Sequence, residues 1–124
     1  ISTRTISKAG GKATYRSAVK VTPNAHHAKC SVNCESLMLD DLSRSDTLPV
    51  MDIQGDEADI GHEATIGRIS EEAVFYLMCR GISEEEARAM IVRGFVEPIA
   101  KELPLEYAVE MNNLINIELE GTMG

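Results

Sequence analysis

From Thr3 to Ile66 the chain alternates, roughly residue by residue, small or apolar positions with polar ones. That period-two pattern belongs to strands with one buried face. It predicts strands over 3–6, 13–21, 28–39, 47–53 and 58–66. Breaks fall at Gly10-Gly11, Pro23-Asn24, Asp40-Asp41, Pro49 and Gly55-Asp56. Beyond Ile69 the apolar residues recur every three to four positions instead, the helical period. Ser70 predicts the cap of a helix running through Arg80 and stopped by Gly81. Ser83 with Glu86 three residues on reads as a capping box, opening a helix that ends at Arg93 before Gly94. A third segment, Val96 to Leu103, takes Pro98 in its first turn. The last helix runs from about Pro104 to Glu120, with Leu105, Ala108, Val109, Met111, Asn112, Ile115 and Leu119 at helical spacing. Such a stripe is core or a docking face, not a cofactor box.

Strands that recur with turns between them and no helix fit a sandwich or a β-solenoid. Strand residues small on one side, Ala13, Ser17, Ala18, Ser31 and Ser36, favour tightly stacked rungs. The stretch from Asp59 to Ser70 is the seam, giving a strand domain over 1–67 and a helical domain over 68–124.

With 124 residues and no Trp, the chain is one domain or a piece of a larger protein, with an aliphatic core. Its start at Ile1, already in a strand pattern, reads as a cut inside something longer. No apolar run approaches the ~20 residues of a membrane span, so a soluble protein is expected. Residues 1–34 hold six bases (Arg4, Lys8, Lys12, Arg16, Lys20, Lys29) and no acid, while all 20 acids lie beyond them. The bases are spaced about four apart with Tyr15 as the one aromatic among them. Solvated strand edges facing an acidic neighbour explain this better than nucleic acid does.

Three cysteines, Cys30, Cys34 and Cys79, are too few and too odd in number for a secreted disulfide framework, and reduced thiols in the cytoplasm are expected. Cys79 falls in a helical apolar pattern and reads as core. His26, His27, Cys30 and Cys34 offer zinc-type donors, but two cysteines four apart on a strand lie about 13 Å from each other, too far to share a metal. Cys30 reads as a buried strand residue. Cys34 precedes Glu35 and an acidic turn, and a thiolate there suits iron or sulfane sulfur as well as an inert core position. His62 and Glu63 can bind metal or move protons, yet alternation puts them on opposite faces of a strand. No Gly-rich phosphate loop is present and no nucleophile–base pair can be made, which argues against a conventional enzyme.

Cys34-Glu-Ser-Leu-Met-Leu-Asp-Asp, Ser43-Arg-Ser-Asp-Thr-Leu-Pro49 and His62-Glu-Ala-Thr resemble the C-terminal part of the SufB/SufD family of iron–sulfur cluster assembly scaffolds. The resemblance continues through Ile69-Ser-Glu-Glu, Phe75-Tyr, Arg80-Gly-Ile-Ser-Glu-Glu, Ile91-Val-x-Gly-Phe95, Glu102-Leu-Pro-Leu-Glu-Tyr-Ala108 and Leu119-Glu-Gly121. It favours the SufB side through Cys34 and His62-Glu63. It implies the last rungs of a right-handed parallel β-helix and a small helical domain. It implies pairing with SufD or a second SufB, docking of the SufC ATPase, and sulfur from a cysteine desulfurase. Cys34, His62 and Glu63 would then hold a transient cluster. The helices, with Phe75, Tyr76, Ile91, Phe95, Leu105 and Tyr107, would form the docking face. Gly61 stands where some members carry a first acid, so no ligand is expected there. The resemblance leaves open whether a reduced flavin takes part. Two alternatives stand beside it: a SufD-like partner without cluster ligands, and a zinc module on His26, His27, Cys30 and Cys34.

Overall fold

The computed structural model describes residues 1–120, and Gly121 of the final motif lies outside them. Five strands come first: β1 Ser2–Ser7, β2 Lys12–Val21, β3 Lys29–Met38, β4 Arg44–Ile53 and β5 Asp59–Arg68. Three helices follow: α1 Glu71–Met78, α2 Glu84–Ala100 and α3 Leu105–Glu120. The chain divides between Ile69 and Ser70 into two compact units. No helix among the described residues is long and apolar enough to cross a membrane.

Among the described residues no strand pairs with its neighbour in sequence. β1, β3 and β5 form one sheet and β2 and β4 another, and all the pairings are parallel. Ser2 lies opposite Asn33, Lys12 opposite Arg44 and Lys29 opposite Asp59, so the shift along the chain is nearly the same in every pairing. Parallel neighbours require a crossover, which is usually a helix. Here the crossover is a strand of the other sheet.

Alternation then sorts side chains by face. Val32, Cys34 and Ser36 on β3 are buried, as are Ser7, Val21 and Ser43. The Ser45 hydroxyl on β4 donates to the Ser36 hydroxyl on β3 at 2.8 Å, so the inward faces of the two sheets touch there. The interior of this unit mixes small aliphatic groups with hydroxyls. The small residues do not share one face as expected: Ala13 and Ser17 turn inward, Ala18 and Ser31 outward. Pro49 is a second correction, because it sits inside β4 and does not break it. β4 has β2 as its one strand partner among the described residues, and a proline fits a strand whose other edge is open. The bases of the first strands do face acids on the next ones: Arg4 pairs with Glu35 at 3.0 Å, Lys12 with Asp46 at 3.5 Å and Lys20 with Asp52 at 4.0 Å.

Asp40 ties two turns together. Its carboxylate accepts the amides of Leu42 and Ser43 at 2.8 and 2.7 Å, the Ser43 hydroxyl at 2.8 Å and the Gly10 amide at 3.4 Å. Desolvation pushes this carboxyl up. The hydrogen bonds, led by those from Ser43, outweigh it and hold the group below its ordinary value.

In the helical unit Ser70 accepts the Ala73 amide and Ser83 the Glu86 amide, so both predicted caps form. The capping box is only half made. The Glu86 side chain turns away to the Arg93 guanidinium, a charge-assisted contact stronger than one to a neutral amide. α1 ends at Met78, short of the expected Arg80, and Cys79 is exposed rather than in the core. The predicted stop at Gly94 does not occur, and the second and third helical segments are one helix, α2, with Pro98 inside it. Val92 and Ala100 are buried on either side of the glycine, and tertiary burial overrides its weak propensity. Pro98 costs one backbone bond close to the end of the helix at Ala100. A Cβ at Gly94 would meet no other group within 4 Å. Gly94→Ala is therefore expected to stabilise the unit by about 1 kcal/mol, read as a rise in the thermal midpoint. An unchanged or lower midpoint would contradict this account of α2.

Candidate functional site

Cys34 sits mid-strand on β3, with Thr3 of β1 on one side and Ala64 of β5 on the other. Both neighbours are small, and the thiol turns inward, 3% exposed. On β5, His62 lies opposite Val32, one same-face position before the partner of Cys34. That makes His62 its diagonal neighbour on the same face, within reach of a long side chain. The Cys34 Sγ and His62 Nε2 are 3.6 Å apart. The imidazole is half-buried, on a strand whose far edge carries no strand among the described residues.

The separation suits two chemistries. It fits a thiol–imidazole hydrogen bond, and it fits two ligands on one ion. A tetrahedral metal holding sulfur at about 2.3 Å and imidazole nitrogen at about 2.0–2.1 Å separates those atoms by about 3.5 Å. Thiolate with imidazole is a donor set that iron and zinc accept. Among the described residues it comprises these two donors and no third.

Glu63 is exposed and on the opposite face of β5, so the strand does not bring it to Cys34 and His62. Glu35, next to Cys34 in sequence, also points outward. It is engaged there by Arg4 at 3.0 Å and by the Asn33 side-chain amide, which donates at 3.2 Å. This pins β1 to β3 immediately behind the thiol.

The four donors of the zinc alternative do not converge. His26 and His27 are exposed in the turn after β2, and His27 Nδ1 meets Glu57 at 2.7 Å. Cys30 is half-buried, not fully buried as expected. Among the described residues no three His, Cys, Asp or Glu side chains gather as a metal-ligating group. Of the residues expected at a docking face, Phe75, Tyr76, Leu105 and Tyr107 are exposed, while Ile91 and Phe95 are half-buried. The Arg80 guanidinium lies 4.6 Å from the centre of the Tyr76 ring.

The residue pattern alone places Cys34 and His62 in separate segments, and in the sequence it is the family resemblance that groups them, together with Glu63. The signal that could join them is the spacing between the alternating stretches. The parallel pairing of β3 with β5 puts His62 beside Cys34, with Cys34 opposite Ala64.

The sequence that folds into this strand unit and the start of the helical one matches a known family. The family description that fits is the SufBD core domain of the SUF system for FeS cluster assembly, matching residues 1–95. The chain is 52% identical over all 124 residues to the iron–sulfur cluster assembly protein SufB of Bacillus subtilis, and spans 27% of that protein. It is 52% identical over the same length to a SufBD family protein of Mycobacterium leprae, spanning 14% of it. A SufBD family protein of Staphylococcus aureus gives the same identity, with 27% of its length spanned. The chain belongs to the SufBD family of iron–sulfur cluster assembly proteins.

Proposed function

We propose that this chain is the C-terminal part of a SufB-type scaffold on which a nascent iron–sulfur cluster is built, and that Cys34 and His62 hold the cluster as cargo. The observation that carries this is the 3.6 Å between the Cys34 sulfur and the His62 nitrogen, the spacing of two ligands on one iron. The thiolate supplies the strong bond. The imidazole, as a weaker and neutral ligand, suits a cluster that must later leave. Glu63 joins such a shell only from the other face of β5, across an interface or after the strand bends. The scaffold catalyses no turnover of its own, and a cysteine desulfurase system supplies its sulfur.

The strand unit, 1–67, is in this reading the last part of a right-handed parallel β-helix. The alternation of strands between two parallel sheets, at a nearly constant shift along the chain, supports it. Its outer strand β5, bearing His62, faces the SufD partner or a second SufB. The helical unit, 68–124, docks the SufC ATPase, supported by the exposed Phe75, Tyr76, Leu105 and Tyr107. The cytoplasm is the setting proposed for the assembly.

The test is anaerobic reconstitution of the full-length protein with iron and sulfide, comparing wild type with His62→Ala. Losing a ligand is expected to lower iron affinity by an order of magnitude or more while the thiol still supports partial loading. Iron and sulfide contents equal to wild type at limiting iron would remove His62 from the site.

A further inference from the structure

A groove of about 490 Å³ is lined by Arg93, Gly94, Glu97 and Ala100 of α2 and by Asn112 and Asn116 of α3. That is a volume typical of ligand sites. Gly94 leaves its wall bare, since a Cβ there would meet nothing within 4 Å. Gly94 also stands four residues before Pro98 in the same helix. Its carbonyl would accept the amide hydrogen of residue 98, and proline has none. A residue lining the groove thus carries a main-chain acceptor that the helical ladder leaves unused. On α3, Asn112 and Asn116 stand one turn apart on one face. Each carboxamide offers a donor and an acceptor side by side, the complement of a peptide group. Four residues of helix separate the two by about 6 Å. Alternate residues of an extended chain are about 6.6 Å apart, so the two carboxamides match its repeat. The Arg93 guanidinium donates to Asn116 Oδ1 at 3.2 Å, which leaves the N–H groups of that side chain to meet a ligand carbonyl.

We propose that this groove binds an extended, basic peptide segment of a partner protein and holds it by its main chain. Asn112 and Asn116 grip successive same-side peptide groups of the segment. Gly94 gives it a further acceptor and the room for close approach. Recognition of this kind takes its affinity from main-chain hydrogen bonds and leaves the side chains to set the choice of partner. Charge makes that choice here. Arg93, the one base of the lining, is already matched by Glu86. A smaller hollow of about 120 Å³ shares Arg93 and Asn116 with the groove, and its lining includes Glu85 and Glu86. Glu97 lies further along α2 in the groove itself. Over residues 70–120, eleven acids stand against four bases, Arg80, Arg88, Arg93 and Lys101. Lysine or arginine side chains of the segment meet this field favourably, and acidic ones are repelled. Phe75, Tyr76, Leu105 and Tyr107 do not line the groove. The proposal therefore stands whether or not the helical unit docks an ATPase, and it is independent of the cluster site.

The test uses full-length protein and a fluorescein-labelled peptide of alternating lysine and alanine, capped at both ends, with binding read by fluorescence anisotropy. A twin peptide, N-methylated at every residue, keeps the charge and loses the main-chain donors. The first peptide is expected to bind, and the twin to bind at least about tenfold more weakly. Asn112→Ala and Asn116→Ala are each expected to weaken binding by about tenfold. Asn113→Ala, outside the lining, is expected to bind as wild type does. Gly94→Leu is expected to fill the groove and abolish binding, with circular dichroism unchanged. Absence of binding to the wild-type protein would overturn the proposal. Equal binding of the N-methylated twin would do so as well, by reducing the attraction to charge alone. Full binding by Gly94→Leu, or by both asparagine variants, would place the peptide elsewhere and overturn it too.

Discussion

Full-length protein carrying Cys34→Ala is expected to acquire no cluster on anaerobic reconstitution, its visible absorption falling to the level of protein without iron. In the proposed site the thiol would be the one strong ligand of the pair, and His62 alone a weak one. The loss should be specific. The side chain points inward between Thr3 and Ala64, both small, so removing one sulfur atom leaves a small cavity in an otherwise unchanged sheet. Far-ultraviolet circular dichroism should match wild type. Cys30→Ala and Cys79→Ala serve as controls: Cys30 is half-buried further back along β3, and Cys79 is exposed at the end of α1. Both are expected to load normally. A cluster retained without Cys34 would place the ligands elsewhere and reduce this pair to architecture.

Gly55→Ala is expected to be the most damaging single change of comparable size in the strand unit. A Cβ there would lie 2.4 Å from the Ala25 carbonyl oxygen and 3.0 Å from both the Thr22 carbonyl oxygen and Val21 Cγ1. Two of these are backbone atoms in the turn after β2, and they cannot swing aside as a side chain would. The turn is braced besides: the Ala25 amide donates to Thr22, the His27 amide to Asp56, and His27 pairs with Glu57. Making room means parting one turn from the next. Overpacking of this kind costs about 3 kcal/mol, which lowers the thermal midpoint by on the order of 10 °C. Gly61→Ala is the contrast, because a Cβ there meets nothing within 4 Å. A midpoint for Gly55→Ala close to that of Gly61→Ala would refute the stacked-turn account.

Much of this architecture is legible in the chain itself, because strands with one buried face write their period into it. All five strands are anticipated by that period, and the two serine caps mark where helices begin. What escapes reading depends on contacts that no local pattern records. Gly94 reads as a stop, and it is the burial of Val92 and Ala100 that carries α2 through it. Pro49 reads as a break, and it is the open edge of β4 that tolerates it. Cys79 sits in an apolar run, but only Val74 of α1 is buried, and the helix ends before the cysteine turns in.

The candidate site shows the same division. Opposite faces for His62 and Glu63 follow from strand alternation alone, and the structure places one half-buried and the other exposed. The meeting of His62 with Cys34 does not follow locally. It depends on the register in which β3 pairs with β5, which is set by turn lengths and not by either strand.

The alternating order of the strands has a temporal meaning too. In chain order, each strand from β3 onward pairs with the strand two before it. Cys34 has a seat as soon as β3 meets β1, but its imidazole comes with β5, the last strand in sequence. A nascent or frayed molecule therefore carries the thiol without its companion. The pair exists only once β5 has joined β3, so in the proposed site iron would meet both donors only after that pairing.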